Sequence, residues 1–90
     1  MPVEEIIKRV EVIAHKHKVE HLDLFGSFAN GTAGERSDVD FVVYGCKDIL
    51  AFEEDIDEIP TLRKIDIFNY DEIANEYLRE DIDKYGRKIF

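Results

Sequence analysis

Hydrophobic side chains recur at three- and four-residue steps at Val3, Ile6, Ile7, Val10, Ile13 and Ala14, which predicts an amphipathic helix over 3–17. Pro2 suits its start, and Lys16 and Lys18 lie where cations meet the helix dipole favourably. The period then falls to two. His21 to Phe25 alternates, with Leu22 and Leu24 on one face and His21, Asp23 and Phe25 on the other, the pattern of a strand. Gly26-Ser27 ends that strand, Phe28 to Gly31 can close one helical turn, and Gly31 to Ser37 is a polar loop. Val39 to Tyr44 is the strongest strand, rich in β-branched and aromatic residues, and Gly45 ends it. Helical spacing returns over 46–59 through Ile49, Phe52, Ile56 and Ile59, and Pro60 closes the element. Lys64 to Phe68 alternates again. Asn69 and Glu72 have the spacing of a capping box, which predicts a helix over 70–84 through Ile73, Ala74, Tyr77, Leu78 and Ile82. Lys88-Ile89-Phe90 adds a short edge strand. The order α-β-(turn)-β-α-β-α predicts an α+β fold, a small mixed β-sheet packed with helices.

Composition narrows the setting. The chain has 90 residues, 44% hydrophobic and 37% charged, so a single domain over 1–90 is expected, too apolar and periodic to be disordered. Acidic side chains number 21 against 12 basic ones, a net charge of -9. That balance argues against a nucleic-acid surface, which needs clustered Lys and Arg, and less strongly against an anionic membrane. It does not exclude a nucleotide, because a bound metal ion reverses the local sign. Cys46 is alone, so neither a disulfide framework nor a thiolate zinc cluster is expected, and a cytoplasmic setting fits best. No apolar stretch approaches the ~18 residues of a membrane span, and Glu4 and Glu5 do not suit a signal peptide.

The candidate chemistry lies between two predicted strands, in Gly26-Ser27, then ten intervening residues, then Asp38-Val39-Asp40. The glycine lets a backbone approach closely, and free amides at the start of a helical turn can hold a phosphate, with the Ser27 hydroxyl as a further donor. Asp38 and Asp40 are two residues apart at the start of a strand, so both point to one side of the sheet. Paired carboxylates repel unless a cation intervenes, and a hard ion such as Mg²⁺ is the natural occupant. Asp66, flanked by Ile65 and Ile67, points to the same patch if its strand lies beside the second one. These are the parts needed for phosphoryl-type transfer with one or two metals.

Gly26-Ser27-Phe28-Ala29-Asn30-Gly31, Ser37-Asp38-Val39-Asp40 and Asp66 together resemble the minimal nucleotidyltransferases, within the DNA polymerase beta-like nucleotidyltransferase superfamily. The resemblance covers nearly the whole chain. It implies the nucleotidyltransferase fold and transfer of a nucleoside monophosphate from an NTP, usually ATP, with release of pyrophosphate. Members of this size are commonly antitoxins encoded beside a HEPN-domain toxin, a ribonuclease that they silence by adenylylating a tyrosine hydroxyl. By position, Gly26 and Ser27 match the turn that binds the β- and γ-phosphates. Asp38 and Asp40 match the metal-binding pair, and Asp66 the third carboxylate, which helps orient or deprotonate the attacking hydroxyl. Where many relatives carry Arg, this chain has Asn30, which lacks Arg's bidentate phosphate contact. Either triphosphate binding is weaker or the contact passes to Arg36.

Other readings stand beside this one. The same chain could be a non-catalytic antitoxin that neutralises its partner by complex formation. A small-molecule nucleotidyltransferase is disfavoured, since 90 residues leave no second domain for an acceptor pocket unless the chain forms a homo-oligomer. His15, His17 and His21 read as a solvated helix end rather than a metal site. Cys46 reads as a buried structural thiol, although its place at a helix start could acidify it. The acidic run Glu53, Glu54, Asp55, Asp57 and Glu58 suits a solvated face or a docking surface for a basic protein equally. Tyr70, Tyr77, Tyr85 and Phe90 read as core or interface packing, with Phe90 exposed.

Overall fold

The computed structural model describes residues 1–90. Helix α1, Val3–Lys16, buries Ile6, Val10 and Ala14, the stripe that its three- and four-residue spacing predicts. Strand β1 is His21–Phe25, followed by the single turn α2, Ser27–Asn30, and strand β2, Val39–Tyr44. Helix α3, Ile49–Asp57, leads to strand β3, Ile65–Asn69. A 3-10 turn, Tyr70–Glu72, precedes helix α4, Glu76–Tyr85, and strand β4, Arg87–Lys88.

The four strands form one sheet in the order β3-β2-β1-β4. β1 is antiparallel to β2 and β4, whereas β2 and β3 are parallel, joined by α3, so the sheet is mixed as expected. Period-two alternation divides its faces. Leu22, Leu24, Val39, Phe41 and Val43 join Ile6, Val10, Ala14, Phe52 and Ile56 in one buried cluster beneath α1 and α3. The opposite face carries Asp23, Phe25, Asp40, Val42, Tyr44, Asp66 and Phe68, which the register places side by side. One end of that face is covered, because Tyr70 stacks on Tyr44 at 4.5 Å and donates from its hydroxyl to Asp83 of α4 at 2.9 Å.

Several boundaries depart from the hydrophobic pattern. α4 starts at Glu76 and not at Tyr70, because Asn75 is the cap and accepts from the amides of Tyr77 and Leu78. Asn69 makes no capping bond. The segment after it is pinned to β2 instead: Tyr70 stacks on Tyr44, and Asp71 accepts from the Gly45 amide at 2.8 Å. α3 begins at Ile49 under an Asp48 cap, later than position 46. Phe90 is half-buried and stacks on His15 at 4.0 Å rather than lying exposed, while Tyr77 and Tyr85 are exposed and so are not core residues. No helix of the chain is long and apolar enough to cross a membrane.

Candidate active site

The parallel pairing of β2 with β3 sets Asp40 directly opposite Asp66. Residues paired this way project to the same face, so two carboxylates from separate strands meet there. Asp38 lies one residue before β2, exposed, and its charge also acts on Asp40. Partial burial, then the charge of Asp66 and a hydrogen bond with it, push the Asp40 carboxyl from 3.8 up to about 6. Lys64 is the nearby cation, with Nζ 3.5 Å from Asp66 Oδ1.

The Gly26-Ser27 turn is built against these carboxylates. Gly26 has φ 67° and ψ -148°, a conformation essentially reserved for glycine. A Cβ at this position would collide with Asp40 Oδ2. As the first residues of α2, Ser27 and Phe28 have amides without intrahelical partners. The turn that could hold phosphate and the strand carrying Asp40 are therefore in van der Waals contact.

The other candidates occupy different places. Asn30 is exposed, and its Oδ1 accepts from the amide and hydroxyl of Thr32 at 3.0 and 2.6 Å, so that oxygen holds the loop. Arg36 is exposed on a cleft of about 550 Å³ that is also lined by Asp38, Leu62, Arg63 and Lys64. Sequence reasoning passed over Arg63 and Lys64. The signal available was a pair of cations immediately before the strand that carries Asp66. A second cavity of about 440 Å³ lies between α1 and α3, on the opposite side of the sheet from Asp40.

The carboxylates have the donor chemistry of a hard divalent ion. No three His, Cys, Asp or Glu groups are close enough to hold one as they stand. Asp40 and Asp66 are the tight pair and Asp38 the outer member. Burial first, and then the negative charges of Asp66 and Asp38, raise Asp40, and a divalent cation would offset both. The remaining candidates disperse. His17 Nε2 lies 2.7 Å from Asp55, His21 Nε2 lies 2.7 Å from Asp23, and His15 stacks on Phe90. Cys46 is half-buried, and burial pushes its thiol up rather than acidifying it. Within the acidic run, Asp55 is held below the usual carboxylate range by His17 and then Lys16, while Glu53, Glu54, Asp57 and Glu58 are exposed.

Residues 5–90 match the family described as "Polymerase beta, Nucleotidyltransferase". The chain belongs to that family. It is a nucleotidyltransferase, and it is similar to two proteins of Methanocaldococcus jannaschii. "Putative protein adenylyltransferase MJ1379" is 32% identical over 91% of this chain and 89% of its own length. "Putative protein adenylyltransferase MJ0128" is 32% identical over 86% of this chain and 83% of its own length. A solved structure, "Crystal structure of the toxin-antitoxin with AMP-PNP", superposes with a TM-score of 0.76 at 20% identity, covering 93% of this chain and 72% of that one. At that identity the likeness speaks for a shared nucleotidyltransferase fold.

Proposed function

We propose that this nucleotidyltransferase moves AMP from ATP onto a hydroxyl of a partner protein and acts as the antitoxin of a toxin–antitoxin pair. The observation that carries this reading is the meeting of Asp40 and Asp66 in register, with the Gly26 turn packed against Asp40. The names of the relatives favour a protein acceptor. The toxin–antitoxin structure with AMP-PNP favours a toxin partner and an adenine nucleotide. The resemblance on Gly26-Ser27 and Asp38-Val39-Asp40 extends the reading to a tyrosine of a HEPN-domain toxin, with Mg²⁺ as the ion.

Asp38, Asp40 and Asp66 would hold one or two Mg²⁺ ions. Bound there, the metal would neutralise triphosphate charge and ease ionisation of the attacking hydroxyl. The chain's own groups do the rest. Gly26 and Ser27 seat the β- and γ-phosphates, with Arg36 at the rim of the adjoining cleft. Asp66 orients the acceptor hydroxyl and takes its proton. The acceptor oxygen bonds to the α-phosphorus, the bond to the α–β bridging oxygen breaks, and pyrophosphate leaves with that electron pair.

The direct test is ATP labelled at the α-phosphate, incubated with the protein and its co-encoded partner. Label is expected on the partner with wild type and absent with Asp40→Asn. Equal labelling by both proteins would overturn the assignment.

A further inference from the structure

Arg63 lies outside every motif discussed above, yet it joins two segments of the site. Its Nη1 donates to the Ser37 carbonyl at 2.7 Å, and its guanidinium carbon lies 5.3 Å from the Phe28 ring centroid. Ser37 immediately precedes Asp38, and Phe28 immediately follows Ser27. Arg63 itself precedes β3, which carries Asp66. One half-buried side chain thus bridges the approach to Asp66, the approach to Asp38 and the phosphate-side turn.

The loop it grips has few other supports. Residues 31–36 are exposed and fall outside helix and strand. Within the loop, the Gly34 amide donates to Ser37 Oγ at 2.8 Å and the Ser37 amide donates to the Gly34 carbonyl at 3.2 Å. These bonds close the loop on itself and do not anchor it to the sheet. At its start the loop is tied to α2, where the Thr32 amide donates to the Ser27 carbonyl and to Asn30 Oδ1, each at 3.0 Å. At its far end the anchors are the Val39 amide, which donates to the Lys64 carbonyl at 2.9 Å, and Arg63. Val39 begins β2, so its bond fixes the strand. Arg63 fixes Ser37, two residues earlier, so Asp38 lies between the two anchors.

We propose that Arg63 is a positioning residue for nucleotidyl transfer. It holds the Ser37 end of the 31–37 loop against Phe28 of α2 and thereby sets Asp38, the outer carboxylate, relative to the Asp40–Asp66 pair. The guanidinium suits the task because it carries several donors, so one can bond a carbonyl while the delocalised cation sits over an aromatic ring. Lysine's compact, strongly hydrated ammonium serves both contacts less well.

The inference builds on the proposed transfer reaction, so its test has one arm that needs no activity. Hydrogen exchange is followed in the nucleotide-free protein for wild type, Arg63→Gln and Arg63→Lys. In Arg63→Gln, the Gly34 and Ser37 amides are expected to exchange at least ~10-fold faster, with α1 and β1 unchanged, because only the local opening is eased. Arg63→Lys is expected to fall between Arg63→Gln and wild type. In the transfer assay, Arg63→Gln is expected to lower kcat by about 10- to 100-fold, as for a displaced positioning group, with a smaller change in KM for ATP. Unchanged exchange at Gly34 and Ser37 overturns the proposal. So does faster exchange over the whole chain, which marks a residue of general stability. If wild type transfers nothing, the transfer reading fails while the exchange arm still decides whether Arg63 holds the loop.

Discussion

Gly26 and Asp40 touch so closely that one added carbon on the glycine would strike the carboxylate. The backbone of the Gly26-Ser27 turn thus borders the strand that carries Asp40. Gly26→Ala brings two penalties at once, a strained positive φ and the displacement of Asp40. Strain of this kind costs about 1–3 kcal/mol. The variant is expected to melt earlier and to transfer no label. By contrast, Gly31→Ala also has a positive φ but meets nothing within 4 Å, so it is expected to lose stability and keep transfer. Thermal melts and the labelling assay on the two variants separate strain from collision.

The raised Asp40 carboxyl has a consequence for stability. Its folded value lies near 6 and its unfolded value near 3.8. Between those values the folded state binds more protons than the unfolded one, so the Asp40 contribution falls as pH rises from about 4 to about 6. Removing the charge should therefore stabilise the apo protein at neutral pH. Asp40→Asn is expected to exceed wild type at pH 7.5 by of the order of 1 kcal/mol, after allowing for solvent screening of a partly exposed group. The gain should vanish near pH 4. Urea melts at the two pH values check this, and a variant less stable than wild type at pH 7.5 would contradict it.

A divalent ion would relieve the same carboxylate repulsion without removing the side chain. With the carboxylate charge neutralised, the wild type should gain stability from Mg²⁺ with ATP, by about 2.7 kcal/mol when the ligand stands a hundredfold above its Kd. Asp38→Asn and Asp66→Asn should each show a smaller gain. Replacing Mg²⁺ by EDTA should abolish the ATP-linked shift. Calorimetric melts of the three proteins with and without ATP give the comparison. An equal shift in EDTA would remove the metal from the account.

Local patterning located the strands and the candidate carboxylates they carry far better than the helix starts. That Asp40 and Asp66 could share one face was legible because alternation fixes which way a strand residue points. Only the parallel neighbourhood of β2 and β3 remained to be learned, and the register supplied it. The start of α4 was not legible. Asn69 with Glu72 has the better capping pattern, but Tyr70 and Asp71 are held by Tyr44 and Gly45, which are distant in sequence. Arg63 was missed for the same reason, since its partners Ser37 and Phe28 lie 26 and 35 positions away. Nothing in the structure accounts for Asn69 Oδ1, which is buried without a partner. The two asparagines give a direct test of where the helix begins. Asn75→Ala should cost about 1 kcal/mol, the usual loss for an N-cap. Asn69→Ala should spare the helicity of α4, read by exchange of the Tyr77 and Leu78 amides.

The last prediction concerns Asp23, the only buried charged residue of the chain, 6% exposed. It is held by two neighbours on the same sheet face, with the Tyr44 hydroxyl donating to Oδ2 and His21 Nε2 near Oδ1, each at 2.7 Å. A buried charge persists when its partners offset desolvation, and removing one member leaves the others unpaired. Asp23→Ala is expected to cost about 3 kcal/mol, since it strands the Tyr44 hydroxyl and empties space beside Gly86. Tyr44→Phe removes only one donor and should cost about 1–2 kcal/mol. The carboxylate pair stays in place because Phe25, not Asp23, is the β1 partner of Asp40. Below its melting temperature Tyr44→Phe should therefore transfer nucleotide at the wild-type rate. A Tyr44→Phe protein that stays folded but loses transfer would extend the site to this end of the sheet.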